Sequence, residues 1–302
     1  MYALPLIASM AACLLGGIIR KHLNDKYDDS LPARQLYNAI TCLVAAICLL
    51  LVGGIPQASP FTVLLALAFG LVTAVQQITT LQALTYGPYS YTSVICSLST
   101  IIPALSGALI WHEPLGLSHA IGLLLMIACF ILSVDFGSDQ KKTSLRWLIY
   151  CLLAFLCQGA IGVMQKWHQS TDYRGELDAF LIIAFAFSFF YSIAAYVCGI
   201  LVARGKGQGK AQEGARPSLL SWLPLLLMAV VGICVAVNNK LNLFLSGVMD
   251  SAVFFPLVNG GGLVLTALAA VLLFRERLSR KQWVGVLVGI VAVIFLCNPF
   301  KF

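Results

Sequence analysis

The stretch Phe274-Arg275-Glu276-Arg277-Leu278 stands between two long apolar runs near the end of the chain. An earlier stretch, Ile110-Trp111-His112-Glu113-Pro114-Leu115, also lies between two apolar runs. A shift of 163 positions aligns Glu113 with Glu276 and Gly122 with Gly285. Apolar matches are common by chance in so apolar a chain, but a Glu and a Gly matched at a fixed separation are not. We therefore interpret the two stretches as copies of one duplicated unit.

Composition limits the class of protein. The chain is 60% hydrophobic and 10% charged, with a mean hydropathy of +0.92, whereas a soluble domain has about 25% charged residues. The apolar residues come in runs of about 20, the length that crosses the hydrocarbon core of a bilayer. Because every backbone polar group in lipid must be paired internally, such runs form helices. The sequence predicts an all-α membrane protein.

The apolar runs predict ten transmembrane spans, which fall into two halves of five. The predicted ranges are 2–21, 33–53, 60–84, 89–110, 117–135, 146–167, 178–203, 219–247, 251–274 and 281–298. Residues 1–136 form the first predicted repeat, 145–302 the second, and 137–144 the linker between them. Because five is odd, two copies of one fold enter the membrane in opposite directions. Inverted repeats are typical of transporters, whose substrate site lies between the halves near the midplane.

The positive charges support the inversion and predict an orientation. The turn after span nine carries Arg275, Arg277, Arg280 and Lys281, but its counterpart after span four has no Lys or Arg. Equivalent turns on opposite faces differ in this way under the positive-inside rule. Of the 19 Lys and Arg, 15 lie in the loops of one face, three lie on the other and Lys240 lies within a span. The count predicts that both termini are outside the cell.

With these features the chain resembles the drug/metabolite transporter superfamily, in its ten-span EamA-like family. The resemblance rests, beyond the ten spans in two halves, on Phe274–Ser279 followed by Gln282 and Gly285, on Glu113–Leu115 and Gly122, and on Lys21 and Lys166 at the ends of spans one and six. It implies a secondary transporter that moves small organic solutes by alternating access. It also implies cytoplasmic termini, which is opposite to the charge count.

Polar residues inside spans are costly in lipid and tend to face a cavity or the bundle interior. Amides in span eight have counterparts at the same depth in span three, which predicts a central cavity lined by both repeats; hydrogen bonds that hold helices together are the alternative. The predicted substrate-binding residues are Gln76, Gln77, Thr80, Tyr91, Gln158, Asn238, Asn239, Lys240, Asn242 and Asn259. Lys240 would attract an anionic group, or it snorkels or takes part in a structural pair. Tyr91 belongs to an aromatic belt or to a gate.

Other residues are predicted to have structural roles. Glu113 and Glu276 lie at span ends and are interpreted as helix-entry residues, with proton carriage as the alternative. Ser279 with Gln282 has the spacing of a capping box. Gly260, Gly261 and Gly262 permit a kink or close helix packing, and Pro103 and Pro256 permit bends. Trp167 and His168 are predicted anchors at the membrane interface. The ten cysteines are predicted to be packing residues without disulfides.

These patterns predict a plasma-membrane permease or exporter of a small polar metabolite, possibly an amino acid. Export of amphipathic drugs or lipid-linked sugars is the alternative within transport, and a non-transporting scaffold or sensor is the alternative outside it. The twelve acidic residues all lie outside the deep parts of the spans, which disfavours proton/cation antiport. We predict no enzymatic activity, cofactor, metal or nucleic-acid partner. The predicted partners are the lipid bilayer and a small-molecule substrate, and the predicted assembly is a monomer or homodimer.

Overall fold

The computed structural model describes residues 2–27, 30–54, 57–87, 89–132, 144–205, 221–274 and 279–297. The regular elements of these residues are helices: α1 (Ala3–Lys26), α2 (Leu31–Gly53), α3 (Pro60–Tyr86), α4 (Tyr89–Leu98), α5 (Ile101–Ile110), α6 (Leu117–Leu132), α7 (Leu145–Gln169), a 3-10 turn (Asp172–Glu176), α8 (Leu177–Gly205), α9 (Trp222–Val248), α10 (Ser251–Phe274) and α11 (Arg280–Leu296). The all-α prediction is confirmed for this part of the chain. The predicted linker, 137–144, lies outside it except for Ser144.

Six of these helices are long and apolar enough to cross a membrane, namely α1, α2, α3, α7, α8 and α9. Shorter apolar helical segments cover Val94–Ile110, Leu117–Leu132 and Ser251–Leu265. Each of the ten predicted span ranges contains a helix or a pair of helices. The crossing of the membrane ten times and the inverted repeat remain predictions.

Several helices begin at side chains that cap their free N–H groups. The Ser30 hydroxyl accepts a hydrogen bond from the N–H of Ala33 at the start of α2, and the Ser144 hydroxyl accepts one from the N–H of Trp147 at the start of α7. The predicted capping box at the start of α11 is confirmed. There the Gln282 N–H donates to the Ser279 hydroxyl, and the Ser279 N–H donates to the Gln282 side chain. Such caps stabilise a helix by about 1 kcal/mol each.

Two helices form the predicted span 89–110, because the chain breaks between α4 and α5, close to Pro103, where the sequence predicts that a bend is permitted. Pro103 has no N–H to offer the Ser99 carbonyl, and its ring would clash with that carbonyl in a continuous helix. The Ser99 carbonyl instead accepts a tighter bond from the N–H of Ile102, and Thr100 donates its N–H to Ser97. Pro256, by contrast, lies inside α10 without ending it.

The chain forms two compact units, which we call unit 1 and unit 2. Unit 1 comprises Met1–Leu71 and Gly175–Asn242. Its strongest packing is between α2 and α8. The Asn38 amide donates to the Ser192 hydroxyl at 2.7 Å between these two helices.

Unit 2 comprises Val72–Arg174 and Leu243–Phe302. In it α6 packs against α11, and α5 packs against α10 and α7. A buried apolar cluster that includes Phe130, Met126 and Leu296 forms its core. Gly122 permits the close approach of α6 and α11, because a Cβ there would lie 2.8 Å from the Leu296 side chain.

The most closely packed helix pairs join spans that the predicted duplication makes counterparts. Spans two and seven are α2 and α8, and spans five and ten are α6 and α11; both pairs are in close contact within their units. Each compact unit therefore takes helices from both predicted repeats. The repeat boundaries of 1–136 and 145–302 remain a prediction about sequence origin and are distinct from the packing units.

The structure also places the two predicted interfacial anchors and the cysteines. Trp167 at the end of α7 is 49% exposed, as an interfacial anchor requires, but His168 is fully buried. The interfacial placement of His168 is therefore wrong, since consecutive helical residues point in directions about 100° apart and only one of them faces outward here. The ten cysteines are all free thiols, as predicted.

Candidate functional site

A cavity of about 290 Å³ lies entirely within unit 2, and we call it the polar cavity. Helices α3, α4, α6, α7 and α10 contribute to its wall. The lining residues are Thr80, Leu84, Thr92, Cys96, Ser97, Ser99, Phe130, Gln158 and Asn259. Apart from Leu84 and Phe130 these side chains carry a hydroxyl, thiol or amide, so the wall of the cavity is polar in a chain that is 60% hydrophobic.

The polar wall follows from the pattern of α4. Thr92, Cys96 and Ser99 are spaced by four and three residues, so they lie along one face of a helix. The chain breaks at Ser99 and Thr100, just where this face ends. The Ser99 hydroxyl donates to the Cys96 carbonyl at 2.6 Å, which satisfies a carbonyl at the end of α4.

Three of the predicted binding residues, Thr80, Gln158 and Asn259, line the polar cavity. Gln76 lies one turn before Thr80 on α3 and donates its amide N–H to the Thr80 hydroxyl at 3.1 Å. Gln77 is half-buried on the same helix and is not among the lining residues. The structure therefore brings together part of the predicted set, from spans three, six and nine.

The hydrogen bonds of the lining leave capacity for a ligand. The Asn259 amide N–H donates to the Thr100 hydroxyl at 3.1 Å. This bond orients the amide, and the amide oxygen keeps its capacity to accept a hydrogen bond. Within the described residues Gln158 and Ser97 make no side-chain hydrogen bond, and both line the cavity. The Thr92 hydroxyl accepts the Trp147 indole N–H at 2.9 Å.

The glycines beside Asn259 differ from one another. Gly260 is buried, and a Cβ there would press on the Met126 side chain, so the absence of a side chain at this position lets α10 pack closely against Met126 of α6. Gly261 is also buried, whereas a Cβ on Gly262 would meet open space. The helix runs continuously through all three residues, so close packing, rather than unwinding, is what the structure describes.

The predicted residues of span eight form a separate hydrogen-bonded set in unit 1. The Ser9 hydroxyl donates to the Asn242 oxygen at 2.6 Å, and the Asn242 amide donates to the Asn238 oxygen at 3.3 Å. The Asn238 amide in turn donates to the Ser9 carbonyl at 2.9 Å and to its hydroxyl at 3.0 Å. Ser9 is fully buried. We call these three residues the amide network; it joins α1 to α9.

The other two residues of that stretch also have partners. Lys240 lies 2.7 Å from one Asp178 carboxylate oxygen and 3.0 Å from the other, so the cation is paired with the start of α8. The Asn239 amide donates to the Val235 carbonyl one turn earlier at 2.9 Å. These contacts agree with the alternative in which Lys240 takes part in a structural ion pair.

Glu113 forms a buried ion pair in unit 2. Its carboxylate lies 2.5 Å from the Lys166 amine, and the two side chains are 11% and 8% exposed. The same carboxylate accepts the Ser251 N–H at 2.6 Å, at the first residue of α10, where the helix dipole favours a negative charge. The Lys166 amine also donates to the Met249 carbonyl at 3.2 Å.

The backbone before Glu113 places this carboxylate. His112 has a φ of 53°, in the left-handed region that L residues rarely adopt. The turn it makes returns the Glu113 N–H to the Gly107 carbonyl at 3.1 Å. Gly107 must be small, since a Cβ there would lie 2.6 Å from the Ser251 Cβ.

Some predicted residues lie outside the described part of the chain. Glu276 belongs to the undescribed segment 275–278, and the side chain of Tyr91 is also undescribed. Among the residues that the structure describes, no three His, Cys, Asp or Glu side chains are grouped so that they could hold a metal ion.

Tyr91 is the predicted binding residue on α4, and the hydroxyl and thiol groups of the same helix that line the cavity were not predicted. The segment Tyr89–Thr100 contains six Ser or Thr residues, and Thr92, Cys96 and Ser99 recur at helical spacing. That hydroxyl-bearing face was the available signal. A Ser or Thr hydroxyl in a membrane helix bonds to the backbone of the preceding turn, so its burial costs little free energy. A hydroxyl is therefore a weaker sign of a cavity than an amide.

Comparison with known proteins matches residues 4–134 to the EamA-like transporter family. An uncharacterized protein of Haemophilus influenzae is 25% identical over 206 residues, which cover 66% of this chain and 63% of the relative. The alignment thus spans less than two thirds of that relative. A crystal structure of a further protein superposes with a TM-score of 0.71 over 99% of both chains at 16% identity, which shows a shared fold.

The family match agrees with the apolar helices. The matched family is one of transporters, and the matched residues extend from α1 to α6. The predicted resemblance is confirmed at this level: the chain carries an EamA-like transporter family domain over residues 4–134.

Proposed function

We propose that the protein is a secondary transporter of a small polar organic metabolite, which it binds in the polar cavity and moves by alternating access. The retained site residues are Thr80, Gln158 and Asn259, with Thr92, Cys96, Ser97 and Ser99 added. In this proposal Gln76 supports Thr80 from the neighbouring turn. The amide network and the Lys240–Asp178 pair have structural roles.

The observation that carries the proposal is a polar wall around an open volume. Polar side chains inside apolar helices are costly unless they find partners. In the amide network they find each other, although Asn238 also lines a second cavity of about 260 Å³ within unit 1. Gln158 and Ser97 instead face about 290 Å³ of open space, and their side chains have no hydrogen-bond partner among the described residues. This volume is close to the lower limit of about 300 Å³ for small-molecule sites. A polar solute would supply the missing partners.

Alternating access is supported by the elements around the cavity. The wall takes α3, α4 and α6 from the first predicted repeat and α7 and α10 from the second. Transporters built from inverted repeats bind their substrates at such places, beside interrupted helices. The break at Ser99 and Thr100 lies at the cavity wall and is such an interruption. We also propose ten spans, a plasma-membrane location and, from the charge count, outside termini.

The test uses Cys96, whose side chain lines the cavity and is partly exposed. Purified protein is reconstituted in proteoliposomes, and counterflow of a metabolite mixture is measured before and after treatment with a membrane-permeant maleimide. We expect the wild-type protein to lose most of its transport, because the added group fills the cavity. The Cys96→Ser variant keeps the nine other cysteines, so its treated rate relative to its own untreated rate is the matched control.

Complete labelling of Cys96 with no loss of transport would contradict the assignment of the cavity. Equal inhibition of wild type and Cys96→Ser would also contradict it, because the effect would then come from another cysteine. A protein that is folded but moves no solute would favour the scaffold or sensor alternative.

A further inference from the structure

We infer that the substrate is a solute without net or separated charges, rich in hydroxyl or amide groups, and this inference rests on the proposed function. It narrows the small polar metabolite to one chemical class. It also separates neutral solutes from amino acids, which are zwitterions at neutral pH.

The first step is the absence of charge from the wall. The nine lining residues, all within the described part of the chain, include no Asp, Glu, Lys, Arg or His. A charged group transferred from water into such a site without a counter-charge pays a large desolvation penalty. For a zwitterion this desolvation penalty applies to two groups, the ammonium and the carboxylate.

Second, unit 2 buries a pair of charged residues outside the cavity. Glu113 and Lys166 are 11% and 8% exposed and pair with each other at 2.5 Å. The Glu113 carboxylate also accepts the Ser251 N–H, and Lys166 also donates to Met249. Glu113 and Lys166 therefore neutralise each other, and their further hydrogen bonds go to backbone groups at helix ends. Neither residue lines the polar cavity. They therefore supply no counter-charge to a substrate there.

The third step is the hydrogen-bonding capacity of the wall. The Gln158 amide offers two N–H donors and one carbonyl acceptor, none of which is engaged within the described residues. Asn259 gives one N–H to Thr100 and retains its oxygen. The Ser97 hydroxyl both donates and accepts. Mixed donors and acceptors without charge match hydroxyl and amide groups, which also do both.

The fourth step is the ratio of polar to apolar lining. Seven of the nine side chains bear a polar atom, and only Leu84 and Phe130 do not. Most small-molecule pockets are predominantly apolar with few polar groups. About half of the wall is polar, a larger polar share than in most such pockets, and this share favours a solute with a polar group on most of its carbons, such as a polyol, cyclitol, sugar or small amide, over an amphipathic drug.

The test loads proteoliposomes with one mixture and measures the initial release of each solute by mass spectrometry. Neutral solutes are D-glucose, myo-inositol, xylitol and nicotinamide; zwitterions are glutamine, alanine and proline; anions are gluconate and lactate; the cation is putrescine. Protein-free liposomes correct for leakage. We expect at least one neutral solute to leave about tenfold faster than every charged one, since an uncompensated charge is worth more than a hydrogen bond.

A charge placed in the cavity should change this preference. Gln158→Glu adds a carboxylate to the wall, so release of the neutral solute should fall several-fold while the relative release of putrescine rises. Gln57→Glu makes the same change at an exposed loop position outside the cavity and should leave the profile unaltered. A residue with only a packing role would not alter charge preference.

The outcomes separate the inference from the proposed function. Release of a zwitterion, anion or putrescine equal to or faster than that of every neutral solute overturns the inference and leaves transport intact. Release of no solute above the leakage rate overturns the proposed transport function, and the inference fails with it. An unchanged profile in Gln158→Glu, with neutral solutes still preferred, overturns the assignment of this class to the polar cavity.

Discussion

The amide network and the polar cavity use the same side-chain chemistry with opposite results. Asn238 and Asn242 in unit 1 bond to each other and to the fully buried Ser9, with distances of 2.6 to 3.3 Å. Gln158 in unit 2 faces open volume and makes no side-chain hydrogen bond among the described residues. Both sets are amides inside apolar helices, but Gln158 has no hydrogen-bond partner among the described residues, whereas Asn238 and Asn242 do.

This contrast gives a rule for deciding whether a polar residue in a membrane helix has a structural or a substrate-binding role. A polar side chain in lipid is costly until it is hydrogen-bonded, so the relevant question is what satisfies it. Where protein groups do so, a substitution should lower stability and leave transport of the folded protein unchanged. Where a substrate does so, it should lower transport and leave stability unchanged. Three substitutions test this rule, in order of expected effect.

The largest effect is expected for Lys166→Met, which breaks the buried pair with Glu113. The carboxylate would remain 11% exposed without its 2.5 Å partner, and removing one member of a buried pair costs about 3–5 kcal/mol. The free energy of unfolding, measured by SDS titration in mixed micelles, should fall by that amount. The bond from the Ser251 N–H retains part of the stabilisation of Glu113.

Lys240→Met is the matched control for that experiment. Its pair with Asp178 has the same chemistry, and the Oδ1 atom of Asp178 is buried, but the side chains as a whole are 36% and 27% exposed. The loss of stability should therefore be smaller than in Lys166→Met. Equal losses in the two variants would show that burial does not determine the strength of these pairs, and the proposed rule would lose its physical basis.

The sequence predicted the fold class well because composition decides it. Runs of about 20 apolar residues leave helices as the available structure in lipid, and the Ser279–Gln282 spacing located a helix start that the structure confirms. Pro103 predicted a bend in span four, but not that the helix would end there, because a proline can either bend a helix or end it. Pro256 shows the other outcome, inside a continuous α10.

The candidate site was harder to predict, because a sequence does not say which partner a polar group finds. Asn238 and Gln158 are both amides in apolar runs, and the pairing of Asn238 with Ser9 joins residues 229 positions apart. The partner of Lys240, Asp178, is 62 positions away. Local spacing placed Thr92, Cys96 and Ser99 on one helix face, but only tertiary packing turns that face toward a cavity.

A smaller effect is expected for Gln158→Leu, which removes a polar group from the cavity and keeps a similar volume. Loss of the bonds to a substrate, each worth about 0.5–1.5 kcal/mol, should raise the KM for transport about tenfold. Because Gln158 has no partner among the described residues, the unfolding free energy should stay within about 0.5 kcal/mol of wild type. Transport is measured in proteoliposomes and normalised to folded protein.

A loss of stability without loss of transport in Gln158→Leu would reverse its assignment. The residue would then belong with the amide network, and the polar cavity would lose its main amide without a protein partner. Thr92→Val is a suitable companion variant, because the Thr92 hydroxyl already accepts the Trp147 indole at 2.9 Å. It should lower stability, by leaving a buried N–H unpaired, in addition to any effect on transport.

The smallest effect is expected for Asn242→Leu, the same amide-to-leucine type of change made in the amide network. The variant loses the bonds to Ser9 and Asn238, and hydrogen bonds between membrane helices average about 0.6 kcal/mol with a maximum near 1.7. Unfolding free energy should therefore fall by about 1 kcal/mol, while the KM of the folded protein stays unchanged. Asn238 still donates to the Ser9 carbonyl and hydroxyl, so the contact between α1 and α9 is weakened and not lost. A tenfold rise in KM with unaltered stability would mean that saturated hydrogen bonding does not exclude a side chain from transport, and the rule that separates the two sets of amides would be wrong.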